Sequence, residues 1–331
     1  MRIGVLNAGG WGTALAIKLA NQGHDVVLWA RRAEQADRLL ADRENRDYLP
    51  GVNLPPTIAV TNDLHRAVEG AQAVVIAVIS GFLPEMCAQL RPIVDRRVLL
   101  LHGTKGLEPG TSRRPSEVIR DELGDEIGLG VGVLAGPNHA EEVARELPSA
   151  AVVACRDGER ATQFQELLNG PRFRVYTNPD VDGVELCSAA KNVLAIAAGI
   201  GDGLGYGDNS KAALITRGLA EMWRLVEKHG GSLATVAGLA GVGDVVATCT
   251  SLHSRNRWAG EQIGRGREPS EVVGSTAMVI EGIPAARGIS AVAQKAGVEM
   301  PICESVYRVL FEGLPPQQAL RELLAREATT E

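Results

Sequence analysis

The fold is decided by residues 1–16, which read MRIGVLNAGGWGTALA. The apolar run Ile3–Leu6 is typical of a buried strand, and a helical pattern begins a few residues later. Between the two lie Gly9 and Gly12 at the spacing of a GxGxxG turn, with Asn7 at the place of its first glycine. Such a turn lets the backbone approach a pyrophosphate, whose charge is stabilised by the N-terminus of the following helix. The stretch therefore predicts a strand, a nucleotide-phosphate turn and a helix, rather than a plain glycine turn.

Strands and helices alternate along the first half of the chain. Short apolar runs predict further strands at Val26–Trp29, Val74–Val78, Val98–Leu101, Val131–Leu134, Ala151–Ala154 and Phe173–Thr177. Helical patterns lie at Thr13–Asn21, Glu34–Ala41, Leu83–Val94 and Ser116–Leu123. Strand–helix–strand repetition predicts an α/β domain with a Rossmann-like, doubly wound parallel sheet.

The second half is helical throughout. Its predicted helices are Val184–Ala198, Ser210–Lys228, Arg257–Gly264, Pro284–Lys295, Ile302–Phe311 and Pro316–Arg326. We therefore expect two domains, a nucleotide-binding domain at 1–180 and an all-α substrate and catalytic domain at 181–331.

Composition restricts the class of protein. The 331 residues carry a formal net charge of −6, which does not suit a nucleic-acid-binding surface. The five cysteines are scattered without a CxxC pair, so neither a disulfide framework nor a metal site is predicted. The sequence shows no long uncharged apolar stretch and no signal-peptide pattern, and we expect a cytoplasmic protein without a membrane span.

The end of the second predicted strand bears on the choice of coenzyme. NAD-binding folds usually place an acidic residue there, which accepts hydrogen bonds from the ribose. This chain has Arg31 and Arg32 instead, and two guanidinium groups can bind a 2′-phosphate. The alternative is a solvated, charged helix start. The arginine pair predicts that NADPH is accepted, and preferred to NADH.

Three stretches of the second half contain candidate functional groups. Lys191 lies in an otherwise apolar helix, where its ammonium either reaches solvent or is partly buried and can exchange a proton with a carbinol oxygen. The run Ser254–Arg257 offers a hydroxyl, an amide and two guanidinium groups, which suits a phosphate but also an ordinary capped helix turn. The glycine-rich segment Gly199–Gly207 is either a flexible connection or a loop whose backbone approaches a ligand.

Taken together, these stretches resemble the NAD(P)-dependent glycerol-3-phosphate dehydrogenases of the bacterial type. The resemblance runs from the first strand to about Arg326. It rests on TKGL at 104–107, SAAKNV at 188–193, GDNSKAALITRG at 207–218, GVGD at 241–244, SRNR at 254–257 and VIEG at 279–282. It implies an oxidoreductase that interconverts dihydroxyacetone phosphate and sn-glycerol 3-phosphate with NAD or NADP. It also implies a cytoplasmic homodimer that supplies glycerol 3-phosphate for glycerophospholipid synthesis.

The resemblance further implies residue roles. Lys191 would be the proton donor and acceptor, and Asp244 would orient its ammonium. These two residues would contact the substrate together with Lys105, Gly136, Asn138, Ser254, Arg255 and Asn256. The cofactor would be lined by Gly9, Gly10, Trp11, Gly12, Arg31, Arg32, Tyr48, Lys105, Ala140, Arg255, Val279 and Glu281. No metal is expected.

The chain departs from the family pattern at four positions. Asn7, Gly10, Ile79 and Asn138 stand where glycine, serine, proline and Ser or Thr are usual, and they bear on cofactor affinity. Two other functions remain open. A related two-domain 3-hydroxyacid dehydrogenase would also use a lysine, but the phosphate-binding run at 254–256 argues against it. A nucleotide sensor without turnover would not need both Lys191 and Asp244.

Overall fold

The computed structural model describes residues 1–276 and 279–327. The chain divides into two compact units: Met1–Glu108 with Arg113–Glu185, and Pro109–Ser112 with Leu186–Glu331. The division after Glu185 falls inside a helix, and the predicted domain boundary at residue 180 stays a prediction.

The first unit is built on one large sheet. In the described part of the chain the strands β1 to β10 are, in order, Arg2–Leu6, Asp25–Trp29, Glu44–Asn45, Leu49–Asn53, Ala59–Thr61, Ala73–Ile76, Leu99–His102, Gly132–Ala135, Ser149–Ala154 and Phe173–Asn178. The main sheet has the order β10-β9-β8-β7-β6-β1-β2-β5, while β3 and β4 form a separate antiparallel pair. The segment β5-β2-β1-β6-β7-β8 is the doubly wound dinucleotide-binding order, so the predicted fold class is confirmed.

The sheet is not parallel throughout. Strands β5, β2, β1, β6, β7 and β8 are parallel to one another, but β8 pairs with β9 in antiparallel fashion. β9 and β10 are parallel to each other and so run opposite to the rest. A reversed edge of this kind is common on an otherwise parallel sheet.

Apolar side chains cover both faces of the sheet. Along β1, Ile3 and Val5 belong to one buried cluster and Leu6 to a second, because successive side chains of a strand point to opposite faces. Burial on both faces explains why the strands read as continuous apolar runs.

Helices connect the strands of the first unit. Their bounds are Gly10–Asn21, Ala33–Asp42, Leu64–Val68, Leu83–Leu90, Pro115–Leu123, Asp125–Gly128, Ala140–Ala144 and Gly158–Leu168, with a 3-10 turn at Ser80–Phe82. The helix Val181–Gly203 contains the division between the units. The second unit continues with Asp208–Lys228, Leu233–Ala237, Asp244–Thr250, Arg255–Gly264, Pro269–Gly274, Gly282–Ala296, Pro301–Phe311 and Pro316–Leu324, and with a π-helical turn at Leu239–Gly243.

The helix Val181–Gly203 is long and apolar enough to cross a membrane by those two criteria. Its most apolar window is, however, entirely buried inside the protein, as in the core helix of a globular domain. Length and hydropathy are therefore weak support for a membrane span here.

The glycine-rich segment of the second unit has a packing role that the sequence left open. The helix Val181–Gly203 includes its first five residues. A Cβ atom added to Gly199 would lie 1.9 Å from the carbonyl oxygen of Arg257, and one on Gly260 would lie 2.1 Å from that of Ile196. The corresponding distances are 2.3 Å from Gly203 to the carbonyl oxygen of Glu261 and 2.4 Å from Gly264 to that of Ile200. These four residues, Gly199, Gly203, Gly260 and Gly264, form a glycine seam along which two helix backbones touch.

Candidate active site

The predicted phosphate turn joins β1 to the helix Gly10–Asn21. Gly9 caps that helix with extended backbone, and a Cβ atom on Gly12 would lie 1.9 Å from the carbonyl oxygen of Asn7. Asn7 itself has a φ of 94°, a value that favours glycine and that Asn tolerates better than most residues. Its amide Nδ2 donates to the carbonyl oxygen of Ala77, 2.8 Å away. Asn7 therefore joins the ends of β1 and β6, where the strand order of the sheet reverses.

Buried polar side chains donate hydrogen bonds to the same turn. Gln35 Nε2 donates to the carbonyl oxygen of Ala8 at 2.7 Å, and Asn45 Nδ2 donates to the same oxygen at 3.0 Å and to Thr13 Oγ1 at 2.7 Å. Gln35 and Asn45 were not predicted from the sequence. Nothing local in the sequence distinguishes these two polar residues, because only the fold shows that they are buried.

Gly10 lies against two other predicted cofactor residues. A Cβ atom at Gly10 would be 2.8 Å from the carbonyl oxygen of Tyr48 and 3.9 Å from the Cβ atom of Ala140. A serine, which is usual at this position, would require the backbone near Tyr48 to shift. Glycine at position 10 therefore avoids a clash with the backbone of Tyr48.

Three predicted residues meet beyond β7 and β8. Lys105 Nζ donates to Asn138 Oδ1 at 3.0 Å and lies 5.7 Å from the ring centroid of Trp11. In the described residues, Trp11 Nε1 and Asn138 Nδ2 are buried donors without a hydrogen-bond partner. Gly136 has a φ of 111° beside β9, so its glycine is required by the backbone.

Arg31 and Arg32 follow β2 as predicted, and both are exposed. The guanidinium of Arg31 lies 5.0 Å from the ring centroid of Phe82, which is itself 46% exposed. The pairing of an exposed aromatic ring with a cation at this edge of the sheet was not predicted, because Phe82 lies 51 residues further along the chain.

The first unit fits a bound dinucleotide. Gly12 and Gly10 stand where added side chains would meet backbone oxygens, the helix N-terminus at Gly10 offers backbone N–H groups, and unpaired donors lie at Trp11 and Asn138. Such donors are what phosphate, ribose and carboxamide oxygens require.

In the second unit Lys191 is buried with the carboxylate that the family resemblance implied. Lys191 Nζ lies 2.5 Å from Asp244 Oδ1 and 3.2 Å from Thr248 Oγ1, which in turn donates to Asp244 Oδ1 at 3.2 Å. Lys191 is 4% exposed, so its ammonium does not extend to bulk solvent. The π-helical turn Leu239–Gly243 directly precedes Asp244; such turns are frequent at functional sites.

The lysine cluster has unused hydrogen-bonding capacity. Asp244 Oδ2 and Ser188 Oγ, both in the described residues, are buried without a hydrogen-bond partner. Nearby, burial raises the pKa of the Cys249 thiol to about 12, so this cysteine stays protonated and is no nucleophile at neutral pH. Lys191 is thus the proton-transfer candidate of this cluster.

A chain of amides connects Lys191 to the SRNR run. Asn256 Nδ2 donates to Asn192 Oδ1 at 2.9 Å, and Asn256 Oδ1 accepts from the backbone N–H of Gly282 at 2.9 Å. Ser254 caps the helix Arg255–Gly264, its Oγ accepting from the backbone N–H of Arg257. Asn192 and Thr248 were not predicted as site residues, although the SAAKNV motif contains Asn192.

The remaining predicted residues of the second unit also meet. Arg255 NH1 donates to the carbonyl oxygen of Val279 at 2.8 Å, and both residues are exposed. Glu281 lies two residues further on, at the start of the helix Gly282–Ala296. Apart from Arg31 and Arg32, which follow β2, the predicted residues therefore form one group around Gly10 and Lys105 in the first unit and another around Lys191 and Asn256 in the second.

Comparison with known proteins identifies the family. The model of the NAD-dependent glycerol-3-phosphate dehydrogenase N-terminus matches residues 2–161, and that of the C-terminus matches residues 180–321. This chain belongs to the NAD-dependent glycerol-3-phosphate dehydrogenase family. The family resemblance inferred from the motifs is confirmed.

Individual relatives agree over the full length. Glycerol-3-phosphate dehydrogenase [NAD(P)+] of Chlorobium limicola is 50% identical over 331 residues, covering 100% of this chain and 99% of the relative. The Bacillus pumilus protein of the same name is 47% identical, with coverages of 100% and 96%. The crystal structure of glycerol-3-phosphate dehydrogenase from Coxiella burnetii superposes with a TM-score of 0.94 at 44% identity, covering 98% of this chain and 99% of that one.

Proposed function

We propose that this chain catalyses the NAD(P)-dependent interconversion of dihydroxyacetone phosphate and sn-glycerol 3-phosphate. The observation that carries the proposal is the buried Lys191–Asp244 pair, linked through Asn192 and Asn256 to the helix start at Ser254. The second unit therefore contains both a proton donor and a helix start that suits a phosphate. The first unit contains a turn that suits the pyrophosphate of a dinucleotide.

Lys191 acts on the oxygen at C2 of the substrate. The bound nicotinamide supplies or accepts the hydride at that carbon. Lys191 donates a proton to the oxygen during reduction and takes it back during oxidation. Asp244 holds and orients the ammonium, with Thr248 on the same carboxylate oxygen.

The substrate phosphate binds at the start of the helix Arg255–Gly264. Ser254, Arg255 and Asn256 supply a hydroxyl, a guanidinium and an amide there, and the helix N-terminus adds backbone N–H groups. As the family resemblance implies, Lys105, Gly136 and Asn138 also contact the substrate. Arg255 also contacts the cofactor, which is lined by Gly9, Gly10, Trp11, Gly12, Arg31, Arg32, Tyr48, Lys105, Ala140, Val279 and Glu281.

The direct test is steady-state oxidation of NADPH, followed by the loss of reduced-nicotinamide absorbance. We expect turnover with dihydroxyacetone phosphate, and kcat/KM lower by orders of magnitude with dihydroxyacetone. Preferential turnover of a 3-oxo acid would support a hydroxyacid dehydrogenase instead. Nucleotide binding without turnover of either substrate would support a sensor.

Arg255 is the residue with which to test the phosphate site. Losing a charged hydrogen-bond partner costs about 2–5 kcal/mol, so Arg255→Ala should lower kcat/KM for dihydroxyacetone phosphate by about 30-fold or more. Arg265→Ala, which removes an exposed arginine at the C-cap of the same helix, is the control. An equal loss with unphosphorylated dihydroxyacetone would mean that Arg255 is not a phosphate ligand.

NADPH is the preferred coenzyme in this proposal. Arg31 and Arg32 are exposed cations after β2, and Arg31 lies against the Phe82 ring. Arg31→Asp should lower the NADPH/NADH ratio of kcat/KM by about tenfold or more, because a carboxylate repels a 2′-phosphate. An unchanged ratio would place both arginines outside the coenzyme site.

We also propose that the protein works in the cytoplasm as a homodimer and reduces dihydroxyacetone phosphate for glycerophospholipid synthesis. The five cysteines, all within the described residues, are free thiols, as suits a reducing compartment.

A groove of about 1800 Å³ lies in the second unit beside the helices Asp208–Lys228 and Pro316–Leu324, and Leu324 is 76% exposed. Light scattering should give the mass of two chains, and Leu324→Glu should shift it toward one; a monomeric wild type would contradict the dimer.

A further inference from the structure

We propose that Asp202 and Arg257 are positioning residues that fix the distance between the proton donor Lys191 and the phosphate-binding helix start. The inference rests on the proposed function. It concerns three parts of the sequence that have no role in the proposed chemistry: Arg257 of SRNR, Lys211 of the 207–218 motif, and the glycine-rich segment.

Arg257 differs from Arg255 although only one residue separates them. Arg255 is exposed, whereas Arg257 is 7% exposed. Arg257 NH1 donates to Asp202 Oδ2 at 2.7 Å and lies 3.3 Å from Glu261 Oε2. Two carboxylates therefore compensate the charge of Arg257 inside the protein, and we infer that it is not a ligand of the substrate phosphate.

Asp202 joins the same group from the helix that carries Lys191. It lies in the last turn of Val181–Gly203, where a carboxylate is disfavoured by the helix dipole unless cations compensate it. Lys211 Nζ, 2.7 Å from Asp202 Oδ1, and Arg257 are those cations. Asp202 thereby binds both of its neighbouring helices through one carboxylate.

Arg257 also holds the connection that follows the helix of Asp244. Its Nε donates to the carbonyl oxygen of Ser251, 3.1 Å away, directly after Asp244–Thr250. One guanidinium, on the first turn of the phosphate helix, thus contacts the end of the Lys191 helix and the residue that directly follows the Asp244 helix. These are the three elements whose spacing the reaction requires.

The glycine seam explains why an ion pair is needed to fix the relative position of the two helices. Helices usually fix their relative position by fitting side-chain ridges into grooves. At Gly199, Gly203, Gly260 and Gly264 there are no side chains to interlock, and the two backbones touch directly. The seam lets the helices approach closely, and the Asp202–Arg257 pair beside it fixes their axial register.

A shift in this register would separate the two ends of the substrate site. The carbonyl must reach Lys191 while the phosphate is bound near Ser254, and a misplacement of about 1 Å can cost about 10²-fold in rate. A substrate without phosphate is not held at both ends. Its turnover should therefore be insensitive to the register.

The test compares dihydroxyacetone phosphate with dihydroxyacetone in the full-length enzyme with NADPH. Asp202→Asn removes the charge at constant size, and Arg257→Lys keeps the charge but cannot reach Ser251 and Asp202 together. We expect each to lower kcat/KM for dihydroxyacetone phosphate at least about tenfold and to change that for dihydroxyacetone less than about threefold. Arg267→Ala, a nearby arginine bonded only to Gln262 in the described residues, should change neither.

The outcomes separate positioning from other roles. Equal losses with both substrates, or no loss in either variant, would overturn the proposal and leave a structural ion pair. A loss in Arg257→Lys but not in Asp202→Asn would also overturn it and make Arg257 a phosphate ligand. Thermal unfolding and NADPH titration establish that each variant is folded. If Arg257→Lys is not folded, Asp202→Asn decides alone, and if Asp202→Asn is not folded, Asp202→Glu takes its place. A wild-type enzyme inactive on dihydroxyacetone phosphate would refute the proposed function instead.

Discussion

Asn7 combines a left-handed backbone with an amide that already has an acceptor. Its Nδ2 donates to the carbonyl oxygen of Ala77, so this hydrogen is not available to a phosphate. Asn7→Gly should therefore change NADPH affinity by less than about tenfold, since the relief of backbone strain and the loss of one hydrogen bond are each worth about 1 kcal/mol.

The Asn7 interpretation is checked by titrating NADPH into two variants. Asn7→Asp cannot donate to Ala77 and adds a negative charge at the phosphate turn, so it should bind NADPH more than about tenfold more weakly. If Asn7→Gly, with its fold intact, is weakened as much as Asn7→Asp, the amide is a ligand and the interpretation is wrong.

Lys18 is a buried cation outside the proposed chemistry, and it predicts a pH effect on stability. Burial lowers the pKa of Lys18 from 10.5 to about 8, against the attraction of Glu146, and its Nζ lies 4.6 Å from the Phe173 ring centroid. Between these two pKa values the unfolded chain binds a proton that the folded chain does not, so the free energy of unfolding rises with pH.

Lys18→Met removes the ammonium and keeps an apolar chain. At pH 7 it should be more stable than the wild type by about 1–3 kcal/mol, and this advantage should shrink as the pH rises from about 8 towards 10. Urea unfolding of both proteins across that range measures the difference. A stability advantage of Lys18→Met that is independent of pH would contradict a lowered pKa of Lys18.

The glycine seam is an effect of whole elements, because two helix backbones share it. A Cβ atom at Gly260 would lie 2.1 Å from the carbonyl oxygen of Ile196, whereas one at Gly201 meets nothing within 4 Å. Gly260→Ala should therefore lower the free energy of unfolding by at least about 2 kcal/mol. Gly201→Ala should raise it by up to about 1 kcal/mol, since alanine favours the helix. Urea unfolding of both variants decides; equal effects would contradict the seam.

The elements best predicted from the sequence are those with long apolar patterns. All seven predicted strands correspond to observed ones, with ends displaced by at most two residues. Strands β3, β4 and β5 were missed because they are short, and β4 contains Pro50 and Gly51, which usually indicate a turn. The glycine-rich segment could not be assigned, because only the facing helix explains why a helix contains glycine there.

At the scale of the whole molecule, sequence motifs indicated which residues take part but not how they connect. The contact between Asn192 and Asn256 spans 64 residues, and that between Asn256 and Gly282 spans 26. No local pattern specifies such pairs, since they depend on how the helices of the second unit pack. The resemblance to a family implied Lys191 and Asp244 together, although 53 residues separate them in the sequence.

The most direct measurement is the kcat of Lys191→Ala with dihydroxyacetone phosphate and NADPH. Losing a general acid–base group should lower kcat by roughly 10²–10⁴-fold while NADPH still binds. Lys191→Arg, which keeps a cation beside Asp244 but does not release its proton, should lose as much, and Lys228→Ala, an exposed lysine, should lose nothing. A folded Lys191→Ala enzyme that retains more than about a third of the wild-type kcat would contradict the role of Lys191 and with it the proposed mechanism.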